Sequence, residues 1–125
     1  MTQNEKDLLL KDLCSRLPYK VKVYDTKHIF TSYVYIIHIN GWLSEVFVSN
    51  GLIGRTAPID EIKPYLFPMS SMTEEQNLEY LRTCRGGNAD VPTRASFDWC
   101  DKNHFDHRGL IPMGLANDAT GLNIY

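Results

Sequence analysis

The sequence predicts an α+β fold, in which a small, strongly bent antiparallel sheet of about four strands follows an N-terminal helix and precedes two further helices and an apolar tail. Three observations predict it. Apolar residues recur at helical spacing from Leu9 to Leu17, the period changes to two from Lys20, and new helix-start signals open at Thr73 and at Thr93 or Ser96. The 125 residues suit one domain. It divides into an N-terminal helix (1–18), an antiparallel sheet (19–56), a connector (57–72) and a helical C-terminal half (73–125).

Thr2 followed three residues later by Glu5 is a capping box, because each can satisfy a backbone N–H that the first helical turn leaves unpaired. Leu9, Leu10, Leu13, Cys14 and Leu17 then form one apolar stripe, with Lys6, Asp7, Lys11 and Asp12 turned to water, and Pro18 stops the helix. Val21 and Val23 alternate with Lys20 and Lys22. After the turn Asp25-Thr26-Lys27, the β-branched and aromatic run from Ile29 to Ile39 reads as a long strand. Asn40-Gly41 suits a type I′ hairpin turn, Leu43 to Val48 returns, and Asn50-Gly51 turns the chain into a last strand at Leu52-Ile53. Closed, such strands make an SH3-like barrel; open, they make a meander. With the Ile29 to Ile39 strand at an edge, the sheet could also pair across a two-fold axis, so a homo-oligomer is one possible partner state.

The segment Ala57 to Pro64 has room for one or two helical turns between its prolines, and Tyr65-Leu66-Phe67-Pro68 runs extended to seal the open end of the sheet. Thr73 with Gln76 is a second capping box. Its helix carries Leu78 and Leu81, reaches Cys84 and ends at Gly86-Gly87. A third helix runs to about Asn103 and places Phe97, Cys100 and His104 on one face. The apolar tail from Leu110 docks on the body.

Hydrophobic residues make up 43% of the chain and charged ones 22%, which excludes a disordered chain. Thirteen Lys and Arg against fifteen Asp and Glu leave a net charge of -2, so there is no global field for nucleic acid. Glu5, Lys6 and Asp7 break the first apolar run, which fits neither a signal peptide nor a membrane span. The expectation is a soluble cytoplasmic protein. Cys14, Cys84 and Cys100 lack paired metal-ligand spacing and read as buried free thiols of a reducing compartment.

Two blocks carry a resemblance: Ile62-Lys63-Pro64-Tyr65-Leu66-Phe67-Pro68-Met69-Ser70-Ser71-Met72-Thr73-Glu74-Glu75-Gln76, and Phe97-Asp98-Trp99 with His104-Phe105-Asp106-His107-Arg108-Gly109-Leu110-Ile111. Across roughly residues 1 to 116 the chain resembles a family of small proteins encoded by phages and mobile elements of gut Bacteroidales. The resemblance implies a setting, the cytoplasm of a host cell, rather than a mechanism. Tyr commonly stands at the place of His107 in that family, which argues against any role that needs an imidazole there.

Four groups of residues could carry function. Asp101, His104, Asp106 and His107 supply nitrogen and oxygen donors for a metal-dependent hydrolase, although their spacing defines no known site. His104 or His107 as base, an aspartate to orient it and Arg108 to steady an anion would suit acid/base chemistry, and His104, Asp106 and Arg108 would suit binding, against the simpler reading that Asp98 or Asp106 pairs with Arg108 while His104 packs at a helix end. Arg82, Arg85 and Arg94 surround Gly86-Gly87 and a helix N-terminus, a weak phosphate-cradle pattern. Tyr19, Tyr24, Tyr33, Tyr35, Trp42 and Phe47 lie on the strands, and those turned outward, Trp42 first among them, could bind a partner or stack on bases. With no catalytic motif, the leading expectation is a phage-type accessory protein that binds non-covalently, needs no cofactor, and blocks a host protein or sequesters a small signalling nucleotide. A hydrolase and a nucleic-acid-binding module are the alternatives.

Overall fold

A computed structural model describes residues 1–27, 30–40 and 43–125, and only the backbone of residues 30, 35–40, 43 and 44. Gly41 and Trp42 lie outside the described residues, and with them the hairpin turn and the foremost aromatic candidate.

Helix α1 spans Gln3–Arg16. Its start is the capping box: Glu5 N–H donates to Thr2 Oγ1 at 3.1 Å and Thr2 N–H donates to Glu5 Oε1 at 2.9 Å. Leu9 and Leu13 are fully buried. The stripe departs from expectation at two places. Asp12, expected in water, has no exposed surface, and Cys14, expected inside, is exposed. A single turn of 3-10 helix over Leu17–Tyr19 takes Pro18 at its start, and Lys20, at φ 56°, turns the chain into the sheet.

The strands are β1 (Lys22–Asp25), β2 (Phe30–Asn40), β3 (Leu43–Ser49), β4 (Gly54–Pro58), β5 (Ile62–Leu66) and β6 (Asn117–Asp118). They form one six-stranded mixed sheet in the order β4-β3-β2-β1-β5-β6, antiparallel except for the parallel β5–β6 pair. The sheet is not closed into a barrel, and it holds more strands than the expected four. Both surplus strands come from segments that lack alternation in sequence. Residues 62–66 of the expected connector pair with β1, and the tail adds β6. Leu52 and Ile53, expected as a strand, are 95% and 62% exposed at the β3–β4 turn, and β4 begins at Gly54. There the Phe47 ring lies so close that a Cβ would meet its Cζ at 2.9 Å. Strand β2 runs between β1 and β3, so the edge pairing imagined for it is excluded.

Strand alternation sends Val21, Val23, Val34, Val46, Val48, Ala57, Ile62 and Leu66 into one core, which Leu9 and Leu13 of α1 and Leu110, Leu115 and Ala116 of the tail complete. Each buried Val or Leu contributes about 1.5–3 kcal/mol. A second cluster joins Tyr80, Cys84, Cys100 and Phe105. It is built by α2 (Glu74–Thr83) and α3 (Arg94–Lys102). Leu78 is 57% exposed, and Tyr80 and Cys84 face inward. Phe97 likewise is 40% exposed, while Ser96, Cys100 and Asp101 form the buried face of α3. These inversions place the site.

Candidate functional site

The site begins with Asp12 and Arg16, one turn apart on α1 and both fully buried. Arg16 Nε donates to Asp12 Oδ2 at 2.9 Å, and Arg16 Nη2 donates to the Phe105 carbonyl at 2.6 Å. A longer contact runs from Nη1 to the Cys100 carbonyl at 3.4 Å. One planar guanidinium thereby ties α1 to the end of α3, a task suited to its fixed fork of donors. Stripped of water, the two ions need each other: removing one partner of such a pair costs about 3–5 kcal/mol.

At the end of α3 the chain reverses through a Schellman motif. Phe105 N–H donates to the Cys100 carbonyl at 2.8 Å, His104 N–H to the Asp101 carbonyl at 3.4 Å, and His104 holds the left-handed position at φ 65°. This position favours glycine, and it removes His104 from the face it was expected to share with Phe97 and Cys100. The ring of His104 stacks on Tyr125, with centroids 3.7 Å apart, and its Nδ1 is buried without a hydrogen-bond partner among the described residues. Burial, helped by the charges of Arg16 and Lys22, pushes its pKa down to about 4, so it is neutral at pH 7.

The reversal also delivers Asp106, His107 and Arg108. Asp106 turns inward, where its two oxygens each accept a backbone N–H, from Leu110 and Ile111, both at 2.8 Å. Arg108 points the other way. Its Nη1 donates to Asp12 Oδ1 at 2.8 Å and to Asp101 Oδ1 at 3.2 Å. The partners expected for it, Asp98 and Asp106, are not the ones it takes. His107 Nε2 lies 2.8 Å from Asp101 Oδ1 and 3.1 Å from Arg108 Nη1. A carboxylate accepts and a guanidinium only donates, so the shorter contact assigns the proton to Nε2, which donates to Asp101. Burial raises the Asp101 carboxyl, but the His107 hydrogen bond and the charges of Arg16, His107 and Arg108 more than reverse this and hold it below its ordinary range.

Two buried carboxylates and two guanidiniums thus balance, and the balance has an open side. Arg108 Nε and Nη2 and His107 Nδ1 have no partner among the described residues. Beside them an open depression of about 350 Å3 is lined by Lys11, Phe97, His107 and Arg108. The Phe97 ring leans on the His107 ring with centroids 5.0 Å apart and planes at 30°. The residues therefore present a lysine without an ion pair among the described residues, a half-satisfied guanidinium and an exposed aromatic on one surface. That set attracts an anion.

The four metal candidates go to different places. Asp101 and His107 pair with each other, His104 stacks on Tyr125, and Asp106 caps a turn. Among the described residues, no group of three or more His, Cys, Asp and Glu is arranged to hold a metal ion. Arg82, Arg85 and Arg94 are exposed and make no ion pair or side-chain hydrogen bond among the described residues. Gly86 and Gly87 lie at φ 62° and 68°, and Thr93 Oγ1 and Ser96 Oγ close the α2–α3 connection on the Thr83 carbonyl at 2.7 and 3.0 Å. Of the strand aromatics, Tyr24 and Tyr65 meet edge to face at 6.4 Å and Tyr33 lies 5.3 Å below Lys22 Nζ. No helix among the described residues is long and apolar enough to cross a membrane.

Of the residues around this depression, sequence reasoning named Arg108 as a candidate and His107 only as an alternative metal ligand, and it gave no role to Arg16 and turned Asp12 and Lys11 to water. One sign was present: Asp12 and Arg16 at i, i+4 on a helix whose Leu9 and Leu13 are apolar. No family model matches this chain, and no curated protein or solved structure matches it either.

Proposed function

We propose that the protein works by non-covalent binding and that the depression at Lys11, Phe97, His107 and Arg108 holds an anionic ligand. One observation carries the reading. Arg108 is anchored at Nη1 by two buried carboxylates, while its other donors open on a surface that Lys11 shares. An anchored guanidinium loses little freedom on binding, which lowers the cost of recognition. Arg108, Arg16, Asp12 and Asp101 sum to zero charge, so Lys11 sets the sign of the rim, and the overall charge of -2 does not decide the local potential. In the setting that the family resemblance implies, the protein sequesters a small anionic signal or covers an acidic patch of a host protein.

Titration of the full chain with inorganic phosphate at low salt, followed by NMR, tests this reading. Saturable shifts at Lys11, His107 and Arg108 are expected, weakened several-fold in Lys11→Gln, whose exposed side chain leaves the melting point unchanged. Shifts that do not saturate, or that ignore Lys11→Gln, would reject it.

A further inference from the structure

We infer that the ligand is a nucleoside phosphate, with its base laid on Phe97 and its phosphate against Arg108 and Lys11. This rests on the anion-binding reading above and adds the chemistry of the ligand's other end. Phe97 is the observation that a bare anion leaves unexplained. It stands on α3 one turn before the buried Cys100 and Asp101, yet 40% of it is exposed, so the helix holds an aromatic ring in water beside a cationic floor. One side of that ring already leans on His107. A planar base on the other side continues the stack, and any base will serve because every base has a π-face.

Size and charge agree. A cavity of about 350 Å3 lies at the lower end of those that take small organic ligands, and it is far larger than a phosphate needs. After internal pairing among the described residues, Lys11 is the uncompensated cation of the rim and the outer edge of Arg108 keeps free N–H donors, which suits the small negative charge of a monophosphate. Lys11 and Phe97 enter from different helices, so a molecule with a flat apolar end and an anionic end meets both. The imidazole of His107 is not essential here: any ring at 107 that backs Phe97 preserves the platform.

Calorimetric titration of the full chain at low salt with inorganic phosphate, adenosine and adenosine monophosphate decides it. The monophosphate is expected to bind at least about tenfold more tightly than either phosphate or adenosine. Phe97→Ala should remove the preference for the monophosphate over phosphate, and Phe97→Tyr should keep it. A melting curve identical to wild type confirms that the exposed ring was removed without unfolding. Equal binding of phosphate and monophosphate, unaltered by Phe97→Ala, would overturn the nucleoside inference and leave the anion site standing. Adenosine binding as well as its monophosphate would overturn the phosphate half. No binding of phosphate or monophosphate, or a loss caused by Arg82→Ala and Arg85→Ala but not by Lys11→Gln, would overturn both readings.

Discussion

Two groups of arginines in this protein have opposite fates. Arg82, Arg85 and Arg94 lie within thirteen positions of one another around a glycine pair, and all three end in solvent without a partner among the described residues. Arg16 and Arg108 are 92 positions apart, and Asp101 draws them to one oxygen, at 3.7 and 3.2 Å. Proximity in sequence brought the first group to one loop, but a loop imposes no common direction on long side chains. The second group meets between α1 and α3, where Arg16 is cut off from water and Arg108 keeps only its outer edge in it, so each inward charge must meet an opposite one. The unpartnered donors of Arg108 therefore belong to the edge of a buried network rather than to a local run of charge among the described residues.

The largest effect that could break this comparison is in the buried group. Arg16→Met should lower stability by about 3–5 kcal/mol, because the Phe105 carbonyl and one oxygen of Asp12 lose their donor inside the protein. Urea denaturation measures it. A loss below about 1 kcal/mol would mean that the network is solvated after all.

Acid sharpens the contrast next. The folded pKa of His104 is about 4 against an ordinary 6.5, so between those values the unfolded chain binds the proton more readily. The stabilisation is complete above pH 6.5 and is lost as pH falls toward 4, a few kcal/mol at most. Asp101, whose pKa is lowered, adds a further loss below its ordinary value of 3.8. Melting temperatures from pH 7 to pH 4 should fall steeply, and His104→Gln should flatten the upper part of that fall. An unchanged slope in the variant would assign it elsewhere.

The smallest effects belong to the loop. Arg82→Ala and Arg85→Ala should change stability by no more than about 0.5 kcal/mol. Gly86→Ala should cost about 1 kcal/mol through backbone conformation alone, since φ is +62° and no atom stands within 4 Å of the added Cβ. A larger loss at the arginines, read by the same denaturation curves, would show that the loop is a built site.

Much of the fold is legible in the sequence alone. Both capping boxes at Thr2 and Thr73 form as read, as do the alternation of Val21 and Val23 and the docking of the tail through Leu110 and Leu115. Local patterns suffice there because each is satisfied within a few residues. The sheet was read too small because Ile62–Leu66 is punctuated by Pro64, which disguises a strand. Yet Pro64 stands opposite Val23 in the ladder, its side chain in the position of an inward residue.

His104 and His107 show where reading from sequence stops. Three residues apart, they would share a face if α3 continued. The Schellman turn at His104 sends one to a neutral stack on Tyr125 and the other to Asp101. By itself, the sequence determined the capped starts of α1 and α2, the inward residues Leu9, Leu13, Val21 and Val23 and the absence of an overall positive field, because these depend on spacing and composition. Only the tertiary structure decided that Asp12 faces inward, that Arg108 takes α1 as its partner and that Phe97 faces out. Those choices depend on which surfaces lose their water together, and that is settled between residues some 90 positions apart.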